Sequence, residues 1–181
     1  MMEMFDVLDE NGNKIGIQKS KEECYRDGHW FRSVHIWIIN NKKEILLQKR
    51  SPNKSTFANM WAVSVSGHVQ AGESSMNTVI REIKEELGLT VNKEECKYLF
   101  TLKRENIFEN CINRVFDDVY ILVLNLDVEN TKLQKSELCE IKYFNYEKLK
   151  EMLIYKHPDF VPMDEEKEKL FSFLEQLYSM L

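Results

Sequence analysis

The sequence has 181 residues, of which 43% are hydrophobic and 30% are charged, as expected for one globular domain with a buried core. Its formal net charge of -5 argues against a protein that grips a nucleic acid polymer, but a small phosphorylated ligand stays open because a bound cation can supply positive charge. The sequence opens without a signal peptide pattern and has no apolar run of about 18 residues, so we expect a cytoplasmic protein that does not enter membranes.

The cysteines are expected to be plain thiols. They lie far apart in the sequence and include no C-x2-C pair: Cys24, Cys96, Cys111 and Cys139. In a chain without a secretion signal, this spacing indicates neither a zinc site nor a disulfide framework.

Residues 1–30 are predicted to form a hairpin followed by a connector. The hairpin covers Met4–Gln18, because apolar residues flank the turn signal Glu10-Asn-Gly-Asn13 on both sides. The charged stretch Lys19–Gly28 is predicted to be the connector.

Three more strand-like runs follow before residue 67. Val34–Ile39 and Glu44–Arg50 flank a second hairpin signal at Asn40–Lys43, and Trp61–Ser66 alternates in the way of a third strand. We therefore expect a sheet ahead of the next helix.

Beyond residue 89, the pattern predicts three strands and then two helices. The strands are Lys97–Leu102, Arg114–Leu126 and Ile141–Phe144, and the helices are Tyr146–Leu153 and Asp164–Met180. Asp164 is predicted to cap the last helix. Strands on either side of one helix, with a helical tail, predict the α/β class, as an α/β/α sandwich with a mixed central sheet. No linker or repeat divides the chain, so a single domain over residues 1–181 is expected.

The segment 67–89 contains a predicted helix with signals for its start and its end. Ser74 is suited to cap this helix, and Gly88 is suited to end it. At about 100° per residue, one apolar arc is formed by Met76, Val79, Ile80, Ile83 and Leu87. This arc is predicted to face the sheet.

Three glutamates, Glu82, Glu85 and Glu86, form a neighbouring arc on the same helix. Carboxylates three and four residues apart repel each other unless a positive charge lies among them, and a divalent cation is the simplest candidate. Oxygen donors without soft sulfur or a histidine pair favour hard ions, so Mg²⁺ is predicted, with Mn²⁺ as a substitute. The alternative interpretation is a solvated acidic face without a ligand.

The segment from Gly67 to Leu89 resembles the Nudix box, G-x5-E-x7-R-E-U-x-E-E-x-G-U with U a bulky aliphatic residue, and does so without a departure. This resemblance implies the Nudix α/β/α sandwich and hydrolysis of a phosphoanhydride bond by a water molecule in a metal-dependent reaction. It further implies that Glu82, Glu85 and Glu86 hold the metal, with the Gly67 carbonyl as a further ligand.

The resemblance also implies supporting and catalytic roles. Arg81 would orient the carboxylates by pairing with a glutamate, and Glu73 would support them from behind. The general base that deprotonates the water varies among Nudix proteins. Glu85 and Glu137 are the candidates here, and Glu85 is preferred.

Three basic residues are candidates for contact with the substrate phosphates: Arg32, Lys49 and Arg50. Arginine is preferred for this role because its planar guanidinium matches phosphate oxygens, and Arg50 is the first choice. Each residue taken singly also fits a solvated surface position.

Two stretches outside the box resemble type I isopentenyl-diphosphate isomerases: Trp61-Ala-Val-Ser-Val-Ser-Gly-His68 and Asp159-Phe-Val-Pro-Met163. In those isomerases a catalytic cysteine precedes the Gly-His pair, where this sequence has Ser66. They also carry a Glu-x-Glu where this sequence has Phe116-Asp117-Asp118. These departures, together with the complete box, favour a hydrolase. His68 matches an isomerase metal ligand by position, although a structural role is the more common one for a single histidine.

The predicted function is therefore metal-dependent hydrolysis of a nucleoside diphosphate-linked or other organic diphosphate. An isopentenyl-diphosphate isomerase and a nucleotide-sensing Nudix module without turnover are the alternatives. The expected partner is a small-molecule diphosphate. The sequence leaves the attached group and the oligomeric state open, a homodimer being one option.

Overall fold

The computed structural model describes residues 2–108 and 111–179. Its strands are β1 (Met4–Leu8), β2 (Lys14–Ser20), β3 (Trp30–Ile39), β4 (Glu44–Arg50), β5 (Trp61–Ala62), β6 (Val65–His68), β7 (Cys96–Phe108), β8 (Cys111–Val123) and β9 (Leu138–Asn145). Its helices are α1 (Lys21–Asp27), α2 (Ser75–Leu87), α3 (Tyr146–Ile154) and α4 (Asp164–Ser179), with a 3-10 helix at Lys93–Glu95.

The described residues group into two compact units, each built from separate stretches of the chain. The first unit comprises the described residues of Met1–Ile36, Val65–Glu85 and Leu89–Leu122. The second comprises those of Trp37–Ser64, Glu86–Gly88 and Val123–Leu181. Strand β3 and helix α2 thus contribute residues to both units. The expectation of a single domain stays a prediction.

In the first unit, β1 and β2 form the predicted N-terminal hairpin, with Met4 opposite Ser20. The predicted connector is largely a helix, α1, and its start is a capping box. The Ser20 hydroxyl accepts a hydrogen bond from the Glu23 amide at 3.2 Å, and the Glu23 carboxylate accepts one from the Ser20 amide at 2.9 Å. Gly28, at φ 69°, ends the helix in the left-handed conformation that glycine tolerates.

The first part of β3 organises the remaining strands of this unit. It pairs antiparallel with β6, with Val34 opposite Gly67 and His35 opposite Ser66, and β8 pairs with both β3 and β7. Cross-strand partners share a face of a sheet, so Ser66 and His35 lie on one face and Gly67 lies on the other. Strand β7 extends beyond the predicted strand at both ends.

In the second unit, β4 pairs antiparallel with β5 and β9, and Ile38 at the end of β3 lies opposite Leu46. The predicted strand over residues 61–66 is divided into β5 and β6. The cause is Ser64, whose buried hydroxyl accepts a hydrogen bond from the Ile38 amide at 2.8 Å and donates one to the Leu46 carbonyl at 2.5 Å. The Ser64 hydroxyl thus bonds backbone groups of β3 and β4 at the point where β5 and β6 separate.

Helix α4 confirms the predicted C-terminal helix up to Ser179, and the predicted last residue, Met180, lies outside the described residues. Asp164 is the first helical residue and not the cap. Its carboxylate pairs with Lys156 at 3.1 Å and with Lys167 at 2.6 Å. Across the described ranges, no helix combines the length and the apolar character required to cross a membrane.

Candidate active site

Helix α2 has the start, end and buried face that the sequence predicts. The Ser74 hydroxyl accepts a hydrogen bond from the Asn77 amide at 3.2 Å, and Gly88 at φ 68° follows the last helical residue. Of the predicted apolar arc, Val79, Ile83 and Leu87 are buried, and Met76 and Ile80 are half-buried. The apolar arc therefore fixes which side of the helix carries the glutamates.

The Glu82 carboxylate lies directly against the backbone of Gly67. A Cβ atom added to Gly67 would lie 2.0 Å from Glu82 Oε1, far inside contact distance. The side chain of Glu82 is only 12% exposed. Glycine at position 67 is therefore needed for the close approach of helix α2 to β6.

The Arg81 guanidinium is the positive charge that lies among the glutamates of the first unit. It donates to Glu73 Oε1 at 3.0 Å, to Glu82 Oε1 at 2.6 Å and to Glu85 Oε2 at 3.1 Å. It also donates to the backbone carbonyl of His68 at 3.1 Å. Burial opposes the charge of Arg81, but the bonds to Glu73 and Glu82 outweigh it and raise the Arg81 pKa. One guanidinium offsets only one of these three negative charges, so the metal ion predicted from the sequence stays a prediction.

Glu73 precedes helix α2 and holds the Arg81 guanidinium of this network. Its carboxylate accepts from Arg81 through both oxygens and from the Thr78 hydroxyl at 2.8 Å. Although burial opposes ionisation of Glu73, the bonds from Arg81 and Thr78 lower its pKa. Glu73 is thus an anion that fixes the orientation of the arginine.

The His68 side chain points away from this network. Its Nδ1 lies 3.2 Å from Glu3 Oε1, its Nε2 lies 3.4 Å from the Tyr25 hydroxyl, and its ring packs on Phe5 and Phe31. His68 therefore anchors the N-terminal residues with its ring and supports Arg81 only through its carbonyl.

In the second unit, Glu86 is 3% exposed, and its carboxylate accepts a hydrogen bond from the Gln48 side-chain amide at 3.3 Å. The Glu86 carbonyl accepts from the Gln134 amide at 3.0 Å, which ties the segment before β9 to the end of α2. Burial lowers the Arg50 pKa, while the nearby charges of Glu137 and Glu86 raise it. Arg50 thus lies within electrostatic reach of both carboxylates.

The other candidates of the second unit have partners of their own. Glu137 forms an ion pair with Lys54 and is 39% exposed. The Arg50 guanidinium donates twice to the Thr56 carbonyl, at 3.1 and 3.2 Å. The Lys49 ammonium lies 5.7 Å from the ring centre of Trp61. Glu137 and Arg50 are therefore held by Lys54 and Thr56, and Lys49 lies near an aromatic ring.

Arg32 belongs to a different cluster, at the N-terminal hairpin. It pairs with Asp118 at 2.7 Å and donates to the Gly12 carbonyl at 2.9 Å. The neighbouring Asp117 is 1% exposed and is bound by Arg104 and the Ser33 hydroxyl. These contacts give Arg32 a structural role in this cluster, and its part as a phosphate contact stays a prediction.

Several members of this arrangement were not identified from the sequence. Gln48, Asp117 and Arg104 have no motif around them, and their partners are 13 to 84 residues away in the chain. The one usable signal is the polar residue itself, since Gln48 directly follows an apolar run and Asp117 lies between two apolar stretches.

The donors in these clusters are carboxylate and carbonyl oxygens, which suit hard divalent ions. Within the described ranges, no group of three or more His, Cys, Asp or Glu side chains converges in metal-binding geometry. Arg81 donates to both Glu82 and Glu85, so its guanidinium lies between these two carboxylates. The oxygen donors fit a hard ion. The Glu82 carboxylate, which would bind this ion, fills the space beside Gly67.

Comparison with known proteins identifies the family. The model of the NUDIX domain matches residues 29–164, well over half of the chain. Nudix hydrolase 3 of Arabidopsis thaliana is 36% identical over 181 residues, which cover 96% of this chain and 23% of the plant protein. An uncharacterised Nudix hydrolase of Clostridium acetobutylicum is 32% identical, over 83% of this chain and 74% of its own length.

The fold has a close counterpart among solved structures. The protein DR0079 of Deinococcus radiodurans superimposes with a TM-score of 0.72 at 22% identity, over 92% of this chain and 97% of that one. The predicted α/β class with a mixed, largely antiparallel sheet and packed helices is confirmed.

Two relatives that are named for an activity are similar to part of the chain. An isopentenyl-diphosphate Delta-isomerase of Photorhabdus laumondii is 29% identical over 60% of this chain and 61% of its own length. A prenyl-diphosphate phosphatase of Methanosarcina mazei is 38% identical over 49% of this chain and 51% of its own length. Nudix hydrolases generally use divalent metal ions. With its complete box folded as helix α2 and the family model matched across both units, the chain belongs to the Nudix hydrolase family.

Proposed function

We propose that the chain is a divalent-metal-dependent hydrolase that cleaves the phosphoanhydride bond of a small organic diphosphate. The observation that carries the proposal is the Arg81 network, in which one guanidinium orients Glu73, Glu82 and Glu85. A solvated acidic face would need neither the half-buried Glu73, which fixes Arg81, nor a glycine at position 67, which admits the Glu82 carboxylate. These contacts favour a preorganised carboxylate site.

The residues proposed to hold Mg²⁺, or Mn²⁺ in its place, are Glu82, Glu85 and Glu86 of helix α2, with the Gly67 carbonyl as a further ligand. When bound, the ion supplies positive charge that offsets the charge developing on the phosphate oxygens. Arg81 is the positioning residue of this set, since its bonds fix the rotamers of Glu82 and Glu85.

A water molecule attacks one phosphorus, the bond from that phosphorus to the bridging oxygen breaks, and the second phosphate leaves. The water gives up a proton to a carboxylate, for which Glu85 is the first candidate. Its side chain is 49% exposed and so reaches solvent, whereas the alternative, Glu137, is ion-paired with Lys54. Arg50 is the preferred phosphate contact because its planar guanidinium matches phosphate oxygens.

Isomerase chemistry is the second candidate, favoured by the isomerase relatives. Ser66 argues against it, since a serine hydroxyl is a poor acid or base near neutral pH. The buried Asp117 and Asp118 are also held by Arg104 and Arg32. The third candidate, a nucleotide sensor without turnover, does not account for the complete glutamate set.

Two classes of group attached to the diphosphate are proposed for comparison. One is a nucleoside, and the other is a prenyl chain. The prenyl class rests on what the relatives from Methanosarcina mazei and Photorhabdus laumondii are named to act on. The cytoplasmic location and the homodimer stay predictions.

A substrate panel tests the proposal. Nucleoside triphosphates, nucleoside diphosphate sugars, dinucleotides, CoA derivatives and isopentenyl diphosphate are incubated with the protein and Mg²⁺, and the products are resolved by mass. Phosphate release from at least one compound is expected. A rearranged diphosphate of unchanged mass, separated from its isomer by chromatography, would establish the isomerase instead, and binding without any product would establish the sensor.

A further inference from the structure

Gln48 is a buried polar residue of strand β4, directly after the apolar run Ile45–Leu47. It is 3% exposed, and its neighbours Leu46 and Leu47 are fully buried. Its backbone lies between two strands, opposite Ala62 of β5 and Ile141 of β9. A buried amide is destabilising unless its polar atoms find hydrogen-bond partners, so its presence at this position calls for a reason.

The partner of this amide is the Glu86 carboxylate. Gln48 Nε2 donates to Glu86 Oε2 at 3.3 Å, and Glu86 is itself 3% exposed. The backbone of Glu86 is held separately, through the bond from the Gln134 amide to its carbonyl. The main chain and the side chain of Glu86 are thus fixed by two different parts of the second unit.

The chemical nature of this donor matters. A lysine or arginine at position 48 would orient the carboxylate but would also neutralise it and compete with a bound cation. An amide orients the carboxylate and leaves its negative charge in place. An apolar residue of the same length, such as methionine, would fill the space and provide no donor.

We infer that Gln48 is a positioning residue, which holds the Glu86 carboxylate in the orientation in which it binds the divalent ion. The inference rests on the proposed function, since it takes Glu86 as a metal ligand. Side chains that support metal ligands in this way typically change metal affinity by about tenfold to a hundredfold when they are replaced.

The test is Mn²⁺ binding to the full chain, measured by isothermal titration calorimetry. Gln48→Met removes the donor and keeps the length, and it is expected to weaken binding by about tenfold to a hundredfold. Leu46→Met is the matched control, two residues away on the same face of β4, and it is expected to bind within about twofold of the parent because it alters packing only. Circular dichroism in EDTA checks folding. Gln48→Asn, which withdraws the amide by one methylene group, gives the same expected loss if Gln48→Met does not fold.

A second pair of variants distinguishes positioning from general packing. Glu86→Asp keeps a carboxylate but draws it away from Gln48, so adding Gln48→Met to Glu86→Asp is expected to cause less than about twofold further loss. An additional loss as large as in the parent background would show that Gln48 acts through packing and would overturn the inference.

Three further outcomes show which of the two proposals fails. Parent-like Mn²⁺ affinity in both Gln48→Met and Gln48→Asn would overturn the role of Gln48 alone. No Mn²⁺ binding by the parent would overturn both proposals. Gln48-dependent Mn²⁺ binding without hydrolysis of any diphosphate would overturn the proposed hydrolysis and leave the positioning role supported.

Discussion

The absence of a side chain at Gly67 makes room for the Glu82 carboxylate, since an added Cβ would lie 2.0 Å from Glu82 Oε1. We expect Gly67→Ala to push Glu82 off the orientation that Arg81 gives it. Displacing one preorganised electrostatic group costs on the order of a hundredfold to a thousandfold in turnover, and a loss of at least a hundredfold is expected with the fold retained. Steady-state hydrolysis and circular dichroism measure the two effects.

Gly72→Ala is the matched control for this substitution. Gly72 lies in the same segment at φ 83°, so alanine there is strained, but an added Cβ would meet nothing within 4 Å. Its turnover is expected to stay within about tenfold of the parent, or about 1.4 kcal/mol of barrier. Equal losses in both variants would show that alanine disturbs this segment in general and would contradict a specific effect through Glu82.

The Ser66 hydroxyl offers a test between hydrolysis and isomerisation. It lies opposite His35, on the face of β6 away from Gly67. Because the proposed hydrolysis gives it no role, Ser66→Ala is expected to keep turnover within about tenfold of the parent. Complete loss of turnover, with circular dichroism unchanged, would indicate isomerase-like use of this position.

The sequence predicts that candidate site residues lie close together where they share one helix. It does not predict contacts between candidate residues that only the folding of distant segments brings together. Glu82, Glu85 and Arg81 are three and four residues apart or adjacent, so their proximity follows from the helix. The contact from Gln48 to Glu86 spans 38 residues, and no spacing rule predicts it. The ion pair between Arg32 and Asp118 also joins residues far apart in the chain, and the basic character of Arg32 gives no sign of it.

Element boundaries were predictable where alternation and turn signals agree. The first two hairpins and α2 follow the sequence pattern closely. The prediction of an irregular connector was wrong, since most of it forms helix α1. This helix has little apolar periodicity, although the spacing of Ser20 and Glu23 in its capping box is visible in the sequence. The division between β5 and β6 depends on a hydrogen bond from Ser64 to another strand, which alternation cannot reveal.

The N-terminal segment before β1 is attached to β6 through a contact between Glu3 and His68 at 3.2 Å. The hydrogen bond between Glu3 and His68, helped by Lys21, lowers the Glu3 pKa to about 2 from its ordinary value of 4.5. A lowered carboxyl pKa stabilises the fold above the ordinary value and loses that effect as the pH falls toward the folded value. With Glu3 31% exposed, solvent screening reduces the contribution to about 1 kcal/mol.

Glu3→Gln is therefore expected to lower the free energy of unfolding by about 1 kcal/mol at pH 7, measured by urea denaturation. The difference from the parent should shrink as the pH is lowered from about 5 to about 2. Glu10→Gln, at an exposed turn position, is the control and should match the parent throughout. A difference that is independent of pH would point to packing at Glu3 and not to its charge.

At the scale of the whole molecule, negative charge exceeds positive charge, with a formal net charge of -5. Arg81 already neutralises part of the acidic face of α2 without a metal, so single charge removals there should change metal-free stability little. Loss of the exposed pair between Arg81 and Glu85 is worth about 0.3 to 0.5 kcal/mol. Metal binding, in contrast, acts on the folding equilibrium of the entire chain, because an unfolded chain holds no assembled ligand set.

We therefore expect Mn²⁺ or Mg²⁺ to raise the free energy of unfolding of the parent, by about 2.7 kcal/mol when the free ion is present at a hundred times its dissociation constant. Differential scanning calorimetry with and without metal measures the shift. Glu86→Gln removes a ligand charge and should reduce both this shift and turnover, by at least about a hundredfold for turnover. Lys169→Gln, on the exposed side of α4, is the control and should respond to metal as the parent does. Undiminished turnover of the parent in excess EDTA, or an equal metal-induced shift in Glu86→Gln, would contradict the assignment of helix α2 as the metal-binding element.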